Sequence, residues 1–336
     1  MFNPILYCDK HKTMGKERIQ QLDYLKGIFI LLMVLFHLEL IENTYPLLRN
    51  AVYTFHMSAF LIISGYLANV NKTPGDFWKS LLRLIVPYLI FESLYVAAQY
   101  LIGGELGANN AISNLSASDF VIRVVTQPTG PYWYIHTLII ATTVYWLIYK
   151  LLKLTGISGL ALTGLLLYGL SVFIEGLNWG NVTYFLIGVA IIRSGNTFMG
   201  IITPSFLSVL PLAVLFWFPD NYNNGTLAGI AITVLIISLL LSLFPYCPKT
   251  IKDSLTYLGR NSLAIVIFSP IMTVITKKAV PYFSFDSTAV CFALISLPLV
   301  TSCCLACAWL SDKTKLSHLV FLKDRFYRPF NSSVNL

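Results

Sequence analysis

Leu22-Asp23-Tyr24-Leu25-Lys26-Gly27-Ile28-Phe29-Ile30-Leu31-Leu32-Met33-Val34-Leu35-Phe36-His37 is an apolar run broken by Asp23, Lys26 and His37. It is long enough to enter a bilayer, whose ~30 Å hydrocarbon core takes about 20 apolar residues in a helix. Lys26 and His37 stand eleven positions apart. At 100° and 1.5 Å per residue they fall within about 20° of one helix face and about 16 Å apart along the axis. Ionisable groups at membrane depth are expensive and normally face a protein interior or a watery cavity. The run therefore predicts a first helix with Lys26 and His37 on a shared cleft, Lys26 at its cytosolic mouth and His37 in the outer leaflet.

The rest of the chain agrees with a lipid solvent. Its 336 residues are 56% hydrophobic and 11% charged, with a mean hydropathy of +0.71, too little charge to cover a water-soluble domain of this size. Apolar spans are expected at about 22–42, 51–70, 84–103, 132–152, 157–174, 178–192, 200–218, 226–244, 257–276 and 288–310. The expected fold is all-α, a bundle of about ten transmembrane helices. Of the 23 Lys and Arg residues, 19 fall at inner span ends if the N-terminus is cytosolic, which leaves Arg49, Arg123, Lys277 and Lys278 outside. Both termini are then cytosolic. The organisation reads as a lead-in (1–21), a transmembrane domain (22–311) and a basic cytosolic tail (312–336). The first residues are too polar for a signal peptide. The long polar connection from about 104 to 131, with Asn109, Asn110, Asn114 and Asp119, has the length of a functional loop or lid.

The net charge of +8 is scattered between apolar spans, which argues against nucleic acid as a partner. The six cysteines lack paired metal spacing and read as packing groups. His56, at the outer start of the second span, and His136, after Gly130-Pro131-Tyr132-Trp133-Tyr134, fall at the depth of His37. No HExxH pair accompanies them, so a general base is expected before a metal site. Trp133 and Tyr134 suit a substrate contact or an interfacial belt equally. On the cytosolic side Lys26, Lys72, Lys79, Arg83 and Arg260 form a cationic counterpart. Most such charges set topology, but Lys26 and Arg83 border spans directly and are candidates to grip a phosphorylated donor.

Asp23-Tyr24-Leu25-Lys26-Gly27 with His37, Phe55-His56-Met57 leading to Ser64-Gly65-Tyr66, Arg83 with Pro87, and Tyr132-Trp133-Tyr134 follow one another along the chain. Tyr184-Phe185-Leu186-Ile187-Gly188 and Tyr257-Leu258-Gly259-Arg260-Asn261-Ser262 extend the series. In this the chain resembles the acyltransferase 3 family of transmembrane O-acyltransferases, in particular its fucose 4-O-acetylase-like branch. The resemblance implies transfer of an acyl group, usually acetyl, from cytosolic acyl-CoA to a hydroxyl of an extracytoplasmic glycan or lipid-linked sugar. It implies a multi-pass protein of the plasma or inner membrane with acyl-CoA as co-substrate and no tightly bound cofactor. His37 would carry the essential histidine role, as base or transient acyl carrier, with His56 and Asp23 as further catalytic candidates. Lys26, Arg83, Tyr66, Trp133, Tyr134, His136 and Arg260 would bind donor or acceptor. Many members have Arg where Lys26 stands and His where Ser269 stands, and no esterase-like domain follows. Rival readings are a transporter or flippase for a lipid-linked sugar and a sensory or interaction protein. A homo-oligomer stays open.

Overall fold

The computed structural model describes residues 19–102, 112, 114–154 and 156–330. Most of the expected lead-in, with Lys10, Lys12, Lys16 and Arg18, lies outside the described residues, as do Asn109 and Asn110 of the long connection and the C-terminal residues 331–336. Among the described residues the chain is helical, with no strand. In order the helices are α1 (Gln20–Leu35), α2 (Glu39–Thr44), α3 (Pro46–Leu67), α4 (Pro74–Ile102), α5 (Ala117–Thr126), α6 (Trp133–Leu151), α7 (Gly156–Ser171) and α8 (Trp179–Arg193). Then come α9 (Phe198–Ile201), α10 (Val209–Trp217), α11 (Leu227–Leu243), α12 (Lys249–Arg260), α13 (Ser262–Lys277), α14 (Val290–Lys313) and α15 (Leu316–Val320).

Three helical stretches, Pro74–Leu101, Leu227–Tyr246 and Val290–Lys313, are long and apolar enough to cross a membrane. A fourth crossing arises if α12 and α13, bent by 78° at Asn261, act as one broken span. Three expected spans take a different form. The span at 22–42 ends at Leu35, and a turn at residues 36–38 carries the chain into the short α2. The span at 200–218 splits into α9 and α10, because Pro204 between them cannot donate a ladder hydrogen bond. The span at 257–276 straddles the Asn261 bend.

Two glycine-lined crossings hold the centre. A Cβ on Gly259 would lie 1.8 Å from the Asp23 carbonyl oxygen, so α12 can touch α1 only through hydrogen. A Cβ on Gly188 would lie 2.0 Å from the Ile62 carbonyl, which joins α8 to α3 in the same way. Such contacts substitute for the hydrophobic drive that lipid does not provide between helices. One core gathers α1, α3, α11, α13 and α14 around Phe29, Phe60, Ile265 and Phe292. A second lies among α4, α6, α7 and α8 around Phe77, Trp146 and Phe185, with Phe77 stacked on Trp146 at 4.2 Å. Leu165, Phe173, Leu207 and Val214 point outward, exposed, as residues facing hydrocarbon do.

Candidate active site: two chambers either side of an aromatic partition

His37 lies in the turn after α1. Its Nδ1 sits 2.7 Å from the Met33 carbonyl. One helix over, His56 Nδ1 sits 2.8 Å from the Val52 carbonyl. A carbonyl only accepts, so each imidazole donates from Nδ1 and keeps the Nε2 lone pair free. His56 Nε2 is buried with no protein partner among the described residues. Tyr53 lies between the two rings, with centroids 5.6 Å from His37 and 5.3 Å from His56. Its hydroxyl donates to the Phe36 carbonyl at 2.9 Å and pins the turn that carries His37. Both histidines line a chamber of about 360 Å³ with Asn50, Thr54, Trp133, Tyr222, Asn223 and Asn224. Among the described residues no Lys, Arg, Asp or Glu lines it.

A second chamber, of about 310 Å³, opens toward the other end of α1. Its walls include Lys26, Lys72, Ser64, Ser80, Phe60 and Tyr134. Lys72 Nζ donates to Ser80 Oγ at 2.8 Å. Lys26 pairs with the buried Asp23 at 2.6 Å. No described residue lines both chambers. Phe60 and Tyr134 face the Lys26 chamber, called the inner one, and their neighbours Met57 and Trp133 face the His37 chamber, called the outer one. Tyr134 packs edge-on against Phe60, with centroids 5.8 Å apart, and shares a hydrogen bond with Ser64 at 2.7 Å.

Several sequence expectations change here. Lys26 and His37 were expected on one shared cleft, but they line different chambers. The helical count between them fails because α1 stops at Leu35, and Phe29, which lies between them on α1, is fully buried edge-on against Phe60. Asp23 was expected among the catalytic residues with His37 and His56. It sits at the other end of α1, as the charge partner of Lys26. His136 lines neither chamber; its Nε2 donates to the Val125 carbonyl at 2.8 Å and its ring packs on Tyr88. Tyr66 is buried edge-on against Phe198. Arg83 and Arg260 also lie off the chamber walls, and their guanidinium groups reach the carbonyls of Leu322 at 3.1 Å and Phe330 at 3.0 Å. Trp133 and Tyr134 divide between the chambers, as the 100° step between successive helical residues allows.

Sequence reasoning missed two features. The loop Asn221-Tyr222-Asn223-Asn224-Gly225 contributes three walls of the outer chamber. It is held there by Tyr184, whose hydroxyl donates to the Asn224 carbonyl at 2.8 Å, and its cluster of amides was the signal that marked it. Glu92 is fully buried on α4, and its Oε1 accepts from the Thr129 N–H at 2.8 Å and the Thr129 hydroxyl at 2.7 Å. That clamp fixes the turn leading to Pro131 and Trp133. Among the described residues no group of His, Cys, Asp and Glu could hold a metal ion.

Residues 19–309 match the family described as Acyltransferase domain. Over 127 residues, which make up 34% of this chain and 32% of the relative, the chain is 32% identical to nodulation protein NolL of Sinorhizobium fredii (strain NBRC 101917 / NGR234). The matched stretch thus spans about a third of that curated relative's length. No solved structure matches the chain.

Proposed function

The chain belongs to the acyltransferase domain family, and from that premise we propose that it is a membrane O-acyltransferase with its two substrates on opposite sides of the Phe60–Tyr134 partition. The donor is a CoA thioester, acetyl-CoA in the simplest case, entering the inner chamber from the cytosol. The acceptor is a hydroxyl of a glycan or lipid-linked sugar in the outer chamber. The Lys and Arg distribution supports about ten crossings of the plasma or inner membrane with cytosolic termini.

The observation that carries this reading is the fixed tautomer of His37 and His56 on one uncharged, polar chamber. A neutral imidazole with Nδ1–H held by a carbonyl presents Nε2 as a base. In the reaction Nε2 of His37 takes the acceptor hydroxyl proton as that oxygen bonds to the thioester carbonyl carbon. The C–S bond then breaks, and the leaving thiolate takes the proton back from Nε2–H. A covalent variant uses the same nitrogen, which would itself accept the acyl group before the sugar does. The Trp133 indole and the amides of Asn50, Asn223 and Asn224 suit a sugar, which offers an apolar ring face and many hydroxyls. Lys26 and Lys72 suit the phosphates of the donor.

Chambers on opposite faces would also serve a carrier of lipid-linked sugar. Purified chain in nanodiscs with labelled acetyl-CoA separates the two. CoA release or self-acetylation that is lost in His37→Ala supports the transferase. Failure to release CoA with any glycan acceptor, together with sugar movement across a vesicle, supports the carrier.

A further inference from the structure

The segment after α14 folds back onto the bundle. Asp312 gathers it, accepting from the Phe326 N–H at 2.8 Å, the Tyr327 N–H at 3.0 Å and the Ser317 hydroxyl. At the α12–α13 bend the Asn261 side chain accepts from the Arg328 N–H at 2.9 Å and donates to the Arg328 carbonyl at 3.0 Å. Phe321 is buried, stacked on Phe326 and edge-on to Phe268 of α13. The described part of the segment read from the sequence as a basic cytosolic tail is thus folded onto the bundle.

Its fold sets a lysine among cations. Arg83 of α4 donates from Nε to the Leu322 carbonyl at 3.1 Å, so the next residue, Lys323, lies at the α4 surface. Leu322 holds a left-handed φ of 51° there, which few non-glycine residues adopt. Lys323 is half-buried. Among the described residues none of Lys72, Arg83 and Lys323 forms an ion pair. Burial, then Arg328, Arg83 and Lys72, push the Lys323 ammonium down to about 8. Burial and Arg83 lower Lys72 as well, with Asp76 opposing them. Cations held together at a protein surface repel one another and raise the local affinity for a multivalent anion. Lys72 is also a wall of the inner chamber, so an anion held here has its remainder directed inward.

We propose that the C-terminal segment is part of the donor site, with Lys323 joining Lys72 and Arg83 to bind the phosphate esters of the thioester donor. This rests on the CoA-thioester reading above. A lipid headgroup offers the same phosphate chemistry, so the test must separate the two sources. Full-length chain is reconstituted in phosphatidylcholine nanodiscs, and binding of CoA, pantetheine and inorganic pyrophosphate is measured for wild type, Lys323→Gln and Lys323→Arg. Lys323→Gln should weaken CoA and pyrophosphate at least tenfold, Lys323→Arg should restore both, and pantetheine should not respond. Equal CoA affinity in wild type and a folded Lys323→Gln overturns the proposal while leaving the donor reading intact. Lys323-dependent pyrophosphate binding without CoA binding upholds the phosphate site and overturns the CoA reading. Lys323-dependent retention of phosphatidylglycerol doped into the disc, with neither soluble phosphate bound, overturns the donor role.

Discussion

The two chambers are close in size, about 310 and 360 Å³, yet opposite in chemistry. The inner one has Lys26 and Lys72 in its walls, apolar side chains around them and a cationic rim beyond. The outer one has imidazole, indole, phenol and amide groups and, among the described residues, no Lys, Arg, Asp or Glu. A phosphate ester has little to hold it in the outer chamber, while a sugar hydroxyl would compete poorly with water among the lysines. Under the proposed function this difference gives each substrate its own side and puts the chemistry where the two chambers meet, with His37 and Tyr134 lining different chambers.

Four experiments sharpen or break that contrast. His37→Ala should slow transfer by roughly 10²–10⁴-fold, the usual range for a lost general base, with CoA affinity unchanged if the donor's charges are held on the other side as proposed. A matching loss of CoA affinity would mean that the chambers do not divide the substrates. Trp133→Ala should raise the acceptor KM about tenfold, a stacking contribution of ordinary size, and leave the donor KM alone. Steady-state kinetics with each substrate varied reads both. Glu92→Ala frees Thr129 and the turn before Trp133, so it should cost about 1–3 kcal/mol of stability and raise the acceptor KM a few-fold, with Glu92→Gln recovering most of both. Thermal unfolding beside kinetics checks this, and an unchanged acceptor KM would remove Glu92 from the outer site.

The smallest effect concerns pH. Lys323 keeps its charge below about pH 8 and loses it above. A bound polyanion favours the ammonium form, so donor binding takes up a proton above that pH and weakens as pH rises. Lys72 is shifted in the same direction and adds to the trend. CoA affinity measured from pH 7 to 9 should fall in wild type and flatten in Lys323→Gln.

Much of the frame was legible because membrane helices leave a coarse signature. The glycines of the quoted motifs have their reason in the crossings: Gly27 and Gly259 join α1 to α12, and Gly65 and Gly188 join α3 to α8. The break at residues 36–38 was not legible, because the apolar run continues through it without Pro or Gly. The depth of His136 was inferred from its place near a span end. Its direction depends on how α6 is rotated against α5, and helical period fixes a face only within one helix. The folded C-terminal segment was hidden for a different reason. Its composition is basic and polar, and two side chains, Asp312 and Asn261, supply most of its polar anchoring from helices earlier in the chain. Single long-range anchors leave no periodic trace.

The division of substrates between faces is most directly measured in sealed proteoliposomes of known orientation, with labelled acetyl-CoA confined to one side and glycan acceptor to the other. Labelled acceptor should form only when acetyl-CoA faces the Lys72 side and the glycan faces the His37 side. Product formed equally well with both substrates on a single side would contradict the two-chamber account.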